Sequence, residues 1–323
     1  ALICASGSAA ANYYPAVIEA SLSGTPLLIL TADRPPELRN CHSGQTIDQL
    51  KLFGDYVREF YEIALPEADP GRLRYLRQSL VHALEAAVSA RSGPVHLNFP
   101  FRDPLAPGDA ATVDLTEEEL EGLATVLTRP VEAVRHFGSP DAVVVERLCS
   151  HRRGIIVVGN IPPQADCGSF TDAVSRLSEN LGWPVLADVL NPLRFEAARL
   201  PELVTGYDAV LRVAGMRREL EPTAVLQIGT LPTSKILRAW LEGLGAANFL
   251  LDERGRNTDP LHRVAVPLEG NAAGLADKIE GQAVDTGWLA LWHSQQARCA
   301  RIVGEAMEAE DSLFEGKVAW VLS

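Results

Sequence analysis

The sequence predicts an α/β fold built on parallel β-sheets, in two successive layers of strands and helices. From residue 1 to about residue 100, short apolar runs alternate with segments of helical periodicity, a pattern typical of a parallel α/β layer. The alternation resumes between residues 155 and 267, at a spacing typical of a Rossmann-like, doubly wound sheet. A long amphipathic helix is predicted over residues 285–310, after the second layer.

In the first layer, the apolar runs at residues 2–5, 26–32, 57–64 and 95–99 are predicted as strands. A helix is predicted over 15–23, where Pro15 is tolerated because the first turn does not use its missing N–H. A second helix is predicted over 72–90, since leucine or alanine recurs there every three or four residues.

In the second layer, strands are predicted at residues 155–158, 185–189, 225–228, 249–251 and 264–267, with a helix over 170–181. Between the layers, residues 101–126 lose this periodicity and are interpreted as an exposed linker. The acidic run Glu117-Glu118-Glu119 within it is interpreted as the solvated start of a helix.

The charge balance excludes one large class of function. Of the 323 residues, 29 are Lys or Arg and 42 are Asp or Glu, so the net charge is −13 at pH 7. Binding to nucleic acid requires a basic surface, so no nucleic-acid partner is expected.

No apolar run approaches the roughly 20 residues of a membrane span. No membrane span is therefore expected, and a cytoplasmic location is predicted.

The cysteines and histidines follow no disulfide or metal pattern. The five cysteines are odd in number and scattered, which argues against a disulfide framework and favours a reducing compartment. The seven histidines include no HExxH motif, so a zinc site is not expected.

Both ends of the chain fall inside apolar runs, at residues 2–5 and 318–322. Natural domains rarely start and end within their own core elements. The sequence therefore predicts a piece of a longer protein.

Two predicted strands of the second layer are each followed directly by a glycine, Gly159 and Gly229. Each supplies one glycine where the dinucleotide-binding motif GxGxxG needs three, and GxxxxGK[ST] does not occur. Nucleotide binding is therefore not supported, and both glycines are interpreted as turn residues.

Candidate ligand-binding residues cluster at strand ends of the first layer. Ser6-Gly7-Ser8 is predicted as a turn whose N–H groups either face a ligand or cap the following helix. The segment TADRPPEL, residues 31–38, begins at the carboxyl end of a strand, where open α/β sheets bind ligands. Arg34 in this segment is predicted either to clamp a carboxylate or to form an ion pair with Asp33 that fixes the loop.

The segments ASGSAAANYYPAVIEA (5–20), TADRPPEL (31–38) and GQTIDQ (44–49) resemble one family of thiamine-diphosphate enzymes. This is the 2-succinyl-5-enolpyruvyl-6-hydroxy-3-cyclohexene-1-carboxylate synthase family of menaquinone and phylloquinone biosynthesis. The likeness continues through residues 95–105, 184–188, 233–235, 259–260 and 313–320. It spans essentially the whole chain, and the TADRPPEL block is highly specific.

The resemblance implies a subunit of three domains. The chain would supply the later part of a pyrimidine-binding domain (1–105), a linker (106–126), a Rossmann-like central domain (127–283) and the lead-in helices of a truncated pyrophosphate-binding domain (284–323). In this family, thiamine diphosphate supports decarboxylation of 2-oxoglutarate and conjugate addition of the succinyl-semialdehyde carbanion equivalent to isochorismate. A homodimer or homotetramer is implied, because thiamine sites of this kind form between subunits.

The resemblance also assigns individual residues. Arg34 matches an arginine that meets a substrate carboxylate, and Gln45 matches a glutamine beside the cofactor and bound intermediate. Lys235 matches a basic residue at the substrate entrance. Ser6 and Gly7 are expected beside the cofactor together with Gln45.

Two positions depart from the family pattern. Gly44 stands where some members carry Asn, and Ile236 replaces a second basic residue next to Lys235. The donors at the substrate end of the site are therefore expected to differ.

Other groups that this chemistry needs are expected outside the chain. The glutamate that activates the aminopyrimidine should precede Ala1, and the motif that holds Mg2+ (or Mn2+) against the diphosphate should follow Ser323. The chain is therefore expected to hold no catalytic residue, metal ligand or bound cofactor, and to be inactive by itself.

Two other functions remain open. Another thiamine-dependent decarboxylase or ligase, such as acetolactate synthase, would share the three-domain plan but prefer pyruvate, and TADRPPEL weighs against it. A non-catalytic α/β module would instead bind an anion in the central region. Its candidate residues are Arg217, Arg218, Arg254 and Arg256, although scattered surface arginines are the commoner explanation.

Overall fold

Two parallel β-sheets organise the chain, one in each of two units. The computed structural model describes residues 1–67, 69–89, 91–103, 116–118, 121, 139–160, 167–253, 258–263, 265–279 and 284–322. The first unit contains the described residues up to 121, and the second contains those from 139 onward.

The described part of the first unit contains a four-stranded sheet with helices on both faces. The strands are Leu2–Cys4 (β1), Leu27–Asp33 (β2), Phe60–Glu62 (β3) and Pro94–Pro100 (β4). The helices are Ser8–Ala11 (α1), Tyr14–Ser23 (α2) and Pro70–Val88 (α3), with 3₁₀ turns at Pro36–Leu38 and Gly54–Tyr56.

All strand pairs of the first sheet are parallel, in the order β1-β2-β4-β3. β2 and β4 pair over their full length, from Leu27 opposite Pro94 to Asp33 opposite Pro100. Since parallel strands end at the same edge, the residues that follow them come together there. We call this edge the carboxyl edge.

Different helices cover the two faces of the first sheet. α3 packs on one face through Ala83 and Ala87, and α2 packs on the other through Val17. The N-cap residue of α3 is Asp69, whose carboxylate accepts a hydrogen bond from the Arg72 N–H in the first turn. Pro70 follows at a position where no donor is needed.

The second unit carries the remaining strands and helices. The strands are Gly154–Val158 (β5), Val185–Ala187 (β6), Ala224–Ile228 (β7), Ala247–Leu251 (β8) and Ala265–Leu268 (β9). The helices are Ala142–Cys149 (α4), Cys167–Leu181 (α5), Tyr207–Leu211 (α6), Ala214–Glu219 (α7), Lys235–Glu242 (α8), Ala272–Ala276 (α9), Thr286–Ala309 (α10) and Glu315–Leu322 (α11), with 3₁₀ turns at Pro192–Phe195 and Ala197–Arg199.

The second sheet is parallel throughout, in the order β6-β5-β7-β8-β9. Successive residues of β5 enter opposite cores, because side chains alternate along a strand. Ile156 and Val158 pack with α5 and α9 on one face, whereas Ile155 and Val157 pack with α8 and α10 on the other. The sheet is therefore doubly wound, and the predicted α/β class is confirmed.

Most predicted elements lie within a few residues of the observed ones. The strand predicted over 57–64 shortens to β3, although the N–H groups of Arg58 and Ile63 continue its hydrogen bonding to β4. Glu117 and Glu118 are helical and exposed, as interpreted, while Glu119 and most of the predicted linker lie outside the described residues. The domain boundaries remain predictions.

Candidate functional site

The loops that follow β1 and β2 meet at the carboxyl edge of the first sheet. Ser6 Oγ donates a hydrogen bond to the Gln45 carbonyl, and Gln45 Nε2 donates one back to the Ser6 carbonyl, each at 3.0 Å. An Nη atom of Arg34 donates to the carbonyl of Gly44 at 3.3 Å. The structure therefore brings together Ser6, Gly7, Arg34 and Gln45, all of which the sequence singled out.

A buried glutamine ties this turn to the sheet. Gln49 Oε1 accepts a hydrogen bond from the Gly7 N–H at 2.7 Å. Its Nε2 donates to the carbonyl of Ala32 at 2.9 Å and to Asn98 Oδ1 at 3.0 Å. The Gly7 N–H is thus already engaged within the chain, while Gly7 itself is the N-cap residue of α1.

Behind the turn lies a network of polar groups at the ends of β2, β4 and β3. Asn98 is fully buried, and its Nδ2 donates to Asp33 Oδ2 and to Glu62 Oε2, each at 2.8 Å. Arg39 Nη2 lies 2.9 Å from Asp33 Oδ2 and 2.6 Å from Glu62 Oε1. One arginine and one asparagine therefore share two carboxylates, which satisfies a buried charge at Asp33.

The ion pair of Asp33 contradicts one of the two alternatives predicted for Arg34. Asp33 pairs with Arg39, not with the side chain of Arg34. Its Oδ1 instead accepts a hydrogen bond from the Arg34 main-chain N–H at 2.7 Å. Adjacent side chains at a strand end point to opposite sides, so the two charged groups diverge. The guanidinium of Arg34 is therefore not held by the aspartate next to it.

The Arg34 side chain has hydrogen-bonding capacity to spare. Its Nε is buried and has no partner among the described residues. Guanidinium presents five donors in a planar fork that matches a carboxylate. An unused buried donor costs free energy unless an acceptor is supplied, so this side chain is suited to an external anion.

A second buried layer adjoins Asn98. Thr31 Oγ1 donates to Asn98 Oδ1 at 2.7 Å and lies 2.8 Å from His96 Nε2. Because the single hydroxyl hydrogen goes to Asn98, the imidazole must donate from Nε2. Burial lowers the pKa of His96 to about 4, so the ring is neutral at pH 7.

The loop after β2 holds a concentration of unusual backbone conformations. Asn40, His42, Gln45 and Lys51 all have positive φ, between 54° and 61°. Side chains other than glycine adopt this region reluctantly. Backbone strain of this kind clusters at functional sites, and here it sits on the segment that carries Gln45.

Gly44, which stands where some members of the family carry Asn, has room around it for a side chain. A Cβ built there would meet no atom within 4 Å. The open space fits the departure from the family pattern seen in the sequence.

Lys235 belongs to the second unit and begins α8. Ser234 caps this helix by accepting from the Leu237 N–H at 3.1 Å, and it donates to Asp208 Oδ1 at 2.5 Å. Lys235 itself is exposed and forms no ion pair among the described residues. A cation at a helix N-terminus is disfavoured by the helix dipole, so its ammonium is available to an anionic ligand.

The loop before α8 is anchored by Asp188, which follows β6. Asp188 Oδ2 accepts from the Thr233 N–H at 2.5 Å and from Thr233 Oγ1 at 3.1 Å. Burial, and then the charge of Asp188, raise the pKa of Tyr207 to about 12. Two segments that carried the family resemblance, 184–188 and 233–235, are therefore in direct contact.

The crevice between β5 and β7 is filled by its own loops. A Cβ on Gly159 would overlap the main-chain oxygen of Thr230. The Asn160 N–H also donates to Thr230 Oγ1 at 3.0 Å. Gly229 has φ +69°, as a turn residue does. The turn interpretation of both glycines agrees with this packing.

The arginines considered for an anion-binding module are not gathered by the described structure. Arg217 and Arg218 are exposed in the last turn of α7, where a positive charge complements the helix dipole. Arg254 and Arg256 lie outside the described residues.

The cofactor groups implied by the resemblance can be compared with the residues present. Within the described ranges no group of three or more His, Cys, Asp or Glu is placed to hold a metal ion. The Ser6–Gly7–Gln45 turn spends most of its donors internally. The carboxamide oxygen of Gln45 has no partner in the part of the chain described, so it fits a donor on a ligand.

Sequence reasoning missed the supporting residues of this site. Arg39, Gln49, Glu62 and Asn98 lie in different segments, and no motif or spacing links them. Two were detectable in principle, because Glu62 and Asn98 sit at predicted strand ends.

No described helix is long and apolar enough to cross a membrane, and no disulfide joins any of the five cysteines.

Comparison with known proteins gives a consistent result. The family model described as "Middle domain of thiamine pyrophosphate" matches residues 142–322. A protein of Gloeothece citriformis named 2-succinyl-5-enolpyruvyl-6-hydroxy-3-cyclohexene-1-carboxylate synthase is 41% identical over 100% of this chain and 56% of its own length. A protein of the same name from Synechococcus elongatus is 49% identical over 100% of this chain and 54% of its own length. The chain thus spans about half the length of these curated relatives.

A solved structure is also similar in fold. It is the "X-ray structure of a putative thiamin diphosphate-dependent enzyme isolated from Mycobacterium smegmatis", with a TM-score of 0.55 and 17% identity. The match covers 87% of this chain and 51% of that one.

Proposed function

Because the chain belongs to the thiamine pyrophosphate enzyme family, we propose that it forms part of a thiamine-diphosphate-dependent transferase. Its reaction would be the decarboxylation of 2-oxoglutarate and the conjugate addition of the resulting four-carbon unit to isochorismate. The names of relatives at 41% and 49% identity support this proposal.

The observation that carries the proposal is the unpaired guanidinium donor of Arg34. Nε is buried without a partner among the described residues, while Asp33 is paired with Arg39. The alternative of a purely structural Asp33–Arg34 pair is thereby removed. A substrate carboxylate supplies the acceptor that Arg34 lacks.

The charge of the substrates fits the distribution of free cations. 2-Oxoglutarate and isochorismate are both dicarboxylates, whereas pyruvate has one carboxylate. A protein of net charge −13 must concentrate positive charge locally to hold a dianion. Arg34 is one such position in the first unit. Lys235 in the second unit, which the resemblance assigns to the substrate entrance, forms no ion pair among the described residues. Cations of this kind favour dicarboxylate substrates over the pyruvate of the acetolactate-synthase alternative.

Gln45 is proposed to lie beside the cofactor, with Ser6 and Gly7 shaping the turn that presents it. Thiamine diphosphate supplies an electron sink for decarboxylation when it is bound. Gln45 contributes a carboxamide oxygen that accepts a hydrogen bond. One Ser6–Gln45 hydrogen bond holds the Gln45 main-chain carbonyl, and the other holds its side-chain amide nitrogen. Mg2+, which would bind the diphosphate, is assigned to residues outside this chain.

The remaining parts of the proposal concern the whole protein. We propose a homodimer or homotetramer, and a cytoplasmic location in keeping with five cysteines that form no disulfide. The domain boundaries at residues 105, 126 and 283 belong to the same proposal.

The test is Arg34→Ala in the whole protein, assayed with thiamine diphosphate and Mg2+. The Michaelis constant for the dicarboxylate 2-oxoglutarate should rise by about 30- to 1000-fold, or about 2–4 kcal/mol, because a charged contact is lost. Arg34→Lys should restore little of this, since lysine cannot bind a carboxylate through a planar fork.

Arg102→Ala is the matched control. Arg102 pairs with Glu37 beside the same loop at 2.5 Å, and both side chains are at least half exposed. This variant should keep wild-type kinetics. Wild-type kinetics from Arg34→Ala, or an equal loss in both variants, would reject the assigned role.

A further inference from the structure

Arg39 contacts the main chain of Arg34 as well as the acidic side chains. Its Nε donates a hydrogen bond to the Arg34 carbonyl oxygen at 2.9 Å. On the opposite side of the same residue, the Arg34 N–H donates to Asp33 Oδ1 at 2.7 Å. Both polar groups of the Arg34 backbone are therefore held.

The local sequence explains how Arg39 returns to Arg34. Pro35 and Pro36 fix φ near −65° and restrict the residue before them. The 3₁₀ turn Pro36–Leu38 then reverses the chain, with the Arg39 N–H bonded to the Pro36 carbonyl at 3.2 Å. This places the Arg39 guanidinium between Arg34, Asp33 and Glu62.

The Arg39 side chain is held at this edge by two carboxylates and a main-chain carbonyl. Its side chain is only 14% exposed, and that of Asp33 is 1% exposed. Nη2 bridges Asp33 Oδ2 and Glu62 Oε1, at 2.9 and 2.6 Å, while Nε remains on the Arg34 carbonyl. A guanidinium can make these contacts together because its donors lie in a rigid plane.

We infer that Arg39 is a positioning residue, which fixes the backbone of Arg34 so that its guanidinium is preorganised for a substrate carboxylate. This inference rests on the proposed carboxylate-binding role of Arg34. Preorganisation lowers the entropy cost of binding, and a displacement of about 1 Å costs up to about a hundredfold. Arg39 itself touches no substrate.

The experiment is a double-mutant cycle between Arg34→Ala and Arg39→Ala in the whole protein. The readouts are the affinity for 2-oxoglutarate without cofactor, by isothermal titration, and KM and kcat with cofactor. Arg39→Ala should weaken 2-oxoglutarate binding by about tenfold to a hundredfold, with kcat changed less than KM. In the Arg34→Ala background, it should change binding by less than about twofold.

A second variant, Arg39→Lys, tests the same role if Arg39→Ala does not fold. Arg39→Lys keeps a positive charge near Asp33 and Glu62 but cannot also reach the Arg34 carbonyl with the same planar fork. It should fold with a wild-type Tm and show the same weakened binding. Arg102→Ala again serves as control and should bind 2-oxoglutarate normally.

The outcomes separate this inference from the proposed function. If Arg34→Ala weakens binding but Arg39→Ala weakens it equally in both backgrounds, the positioning role is overturned and the function of Arg34 stands. The same follows if both Arg39 variants bind normally. If Arg34→Ala itself binds normally, the proposed function fails and the positioning role fails with it.

Discussion

The carboxyl edges of the two sheets both gather the ends of parallel strands, but the residues that follow these strands differ in kind. In the first unit, the edge holds Asp33, Glu62 and Arg39 in a partly buried charge network, beside a loop with strained backbone. In the second unit, the crevice between β5 and β7 is closed by contact between Gly159 and Thr230. The first edge keeps the unpaired Nε of Arg34 available, whereas the crevice between β5 and β7 in the second unit is packed.

The difference shows how one fold supports both roles. A parallel sheet brings strand ends together in either case. Where the loops pack against each other, the edge adds stability. Where they carry charged side chains with spare donors, such as Arg34, the edge is suited to binding a ligand at some cost in stability.

The tryptophans allow the two units to be observed separately. All five lie in the second unit, at positions 183, 240, 288, 292 and 320. Tryptophan fluorescence therefore follows the second unit alone, while far-UV circular dichroism follows both. This makes each of the following predictions assignable to a unit.

The largest effect is expected from Gly159→Ala. The new methyl group would overlap the Thr230 main chain, which cannot move without disturbing the loop after β7. The second unit should lose about 3 kcal/mol of unfolding free energy, measured by denaturant titration of tryptophan fluorescence. Gly215→Ala, where no atom lies within 4 Å, should not destabilise; equal losses in both variants would refute the packing argument.

Lowering the pH is expected to reduce the unfolding free energy of the first unit by nearly as much. His96 has a pKa of about 4 in the folded state against 6.5 for an unperturbed histidine, because burial disfavours its charge. The unfolded state therefore binds the proton first. Stability from neutral His96 is present above pH 6.5 and is lost as the pH falls from 6.5 to 4, by up to about 3 kcal/mol.

The matched variant is His96→Gln, which keeps a donor for Thr31 but does not titrate. The part of the circular dichroism transition that tryptophan fluorescence does not follow should lose most of its pH dependence between pH 6.5 and 4. A wild-type acid profile from His96→Gln would assign the effect to other groups. Burial and the charge of Arg147 also lower the pKa of His151 in the second unit, so tryptophan fluorescence should show a separate acid response.

A smaller effect compares two glutamines that accept a hydrogen bond from a glycine N–H. Gln49 accepts from Gly7 in the first unit, and Gln296 accepts from Gly206 in the second, both at 2.7 Å. Gln49→Leu should cost about 2 kcal/mol, since it leaves buried polar groups without partners. It should leave the tryptophan transition in place, whereas Gln296→Leu should shift it. The reverse pattern would contradict the assignment to units.

The smallest effect concerns backbone strain. Lys51 has φ +54° and is exposed. Lys51→Gly should stabilise the first unit by about 0.5 kcal/mol. The strain energy that glycine removes at positive φ is larger than the free energy that glycine costs through the higher entropy of the unfolded chain. Lys51→Ala is the control and should give no gain, since alanine adopts positive φ as reluctantly as lysine. A gain in both variants would rule out strain as the cause.

The sequence predicted the α/β class and most long elements, because apolar runs and helical periodicity extend over enough residues to be read. It missed α6 and α9, which have five residues each and are too short to show a period. Arg34 was found because it follows a predicted strand. The Asp33–Arg34 ion pair was one of two alternatives left open for Arg34, and it is wrong, because Asp33 pairs with Arg39, six residues further along the chain. No spacing in the sequence shows that the turn Pro36–Leu38 brings Arg39 back to Asp33.

The most direct test of the central claim is a comparison of substrates in the whole protein with thiamine diphosphate and Mg2+. The account predicts consumption of 2-oxoglutarate that depends on isochorismate, with kcat/KM for pyruvate lower by about a hundredfold or more, because pyruvate lacks the second carboxylate that would pair with a cation of the protein. Equal or better use of pyruvate would contradict the claim that Arg34 and Lys235 serve dicarboxylate substrates.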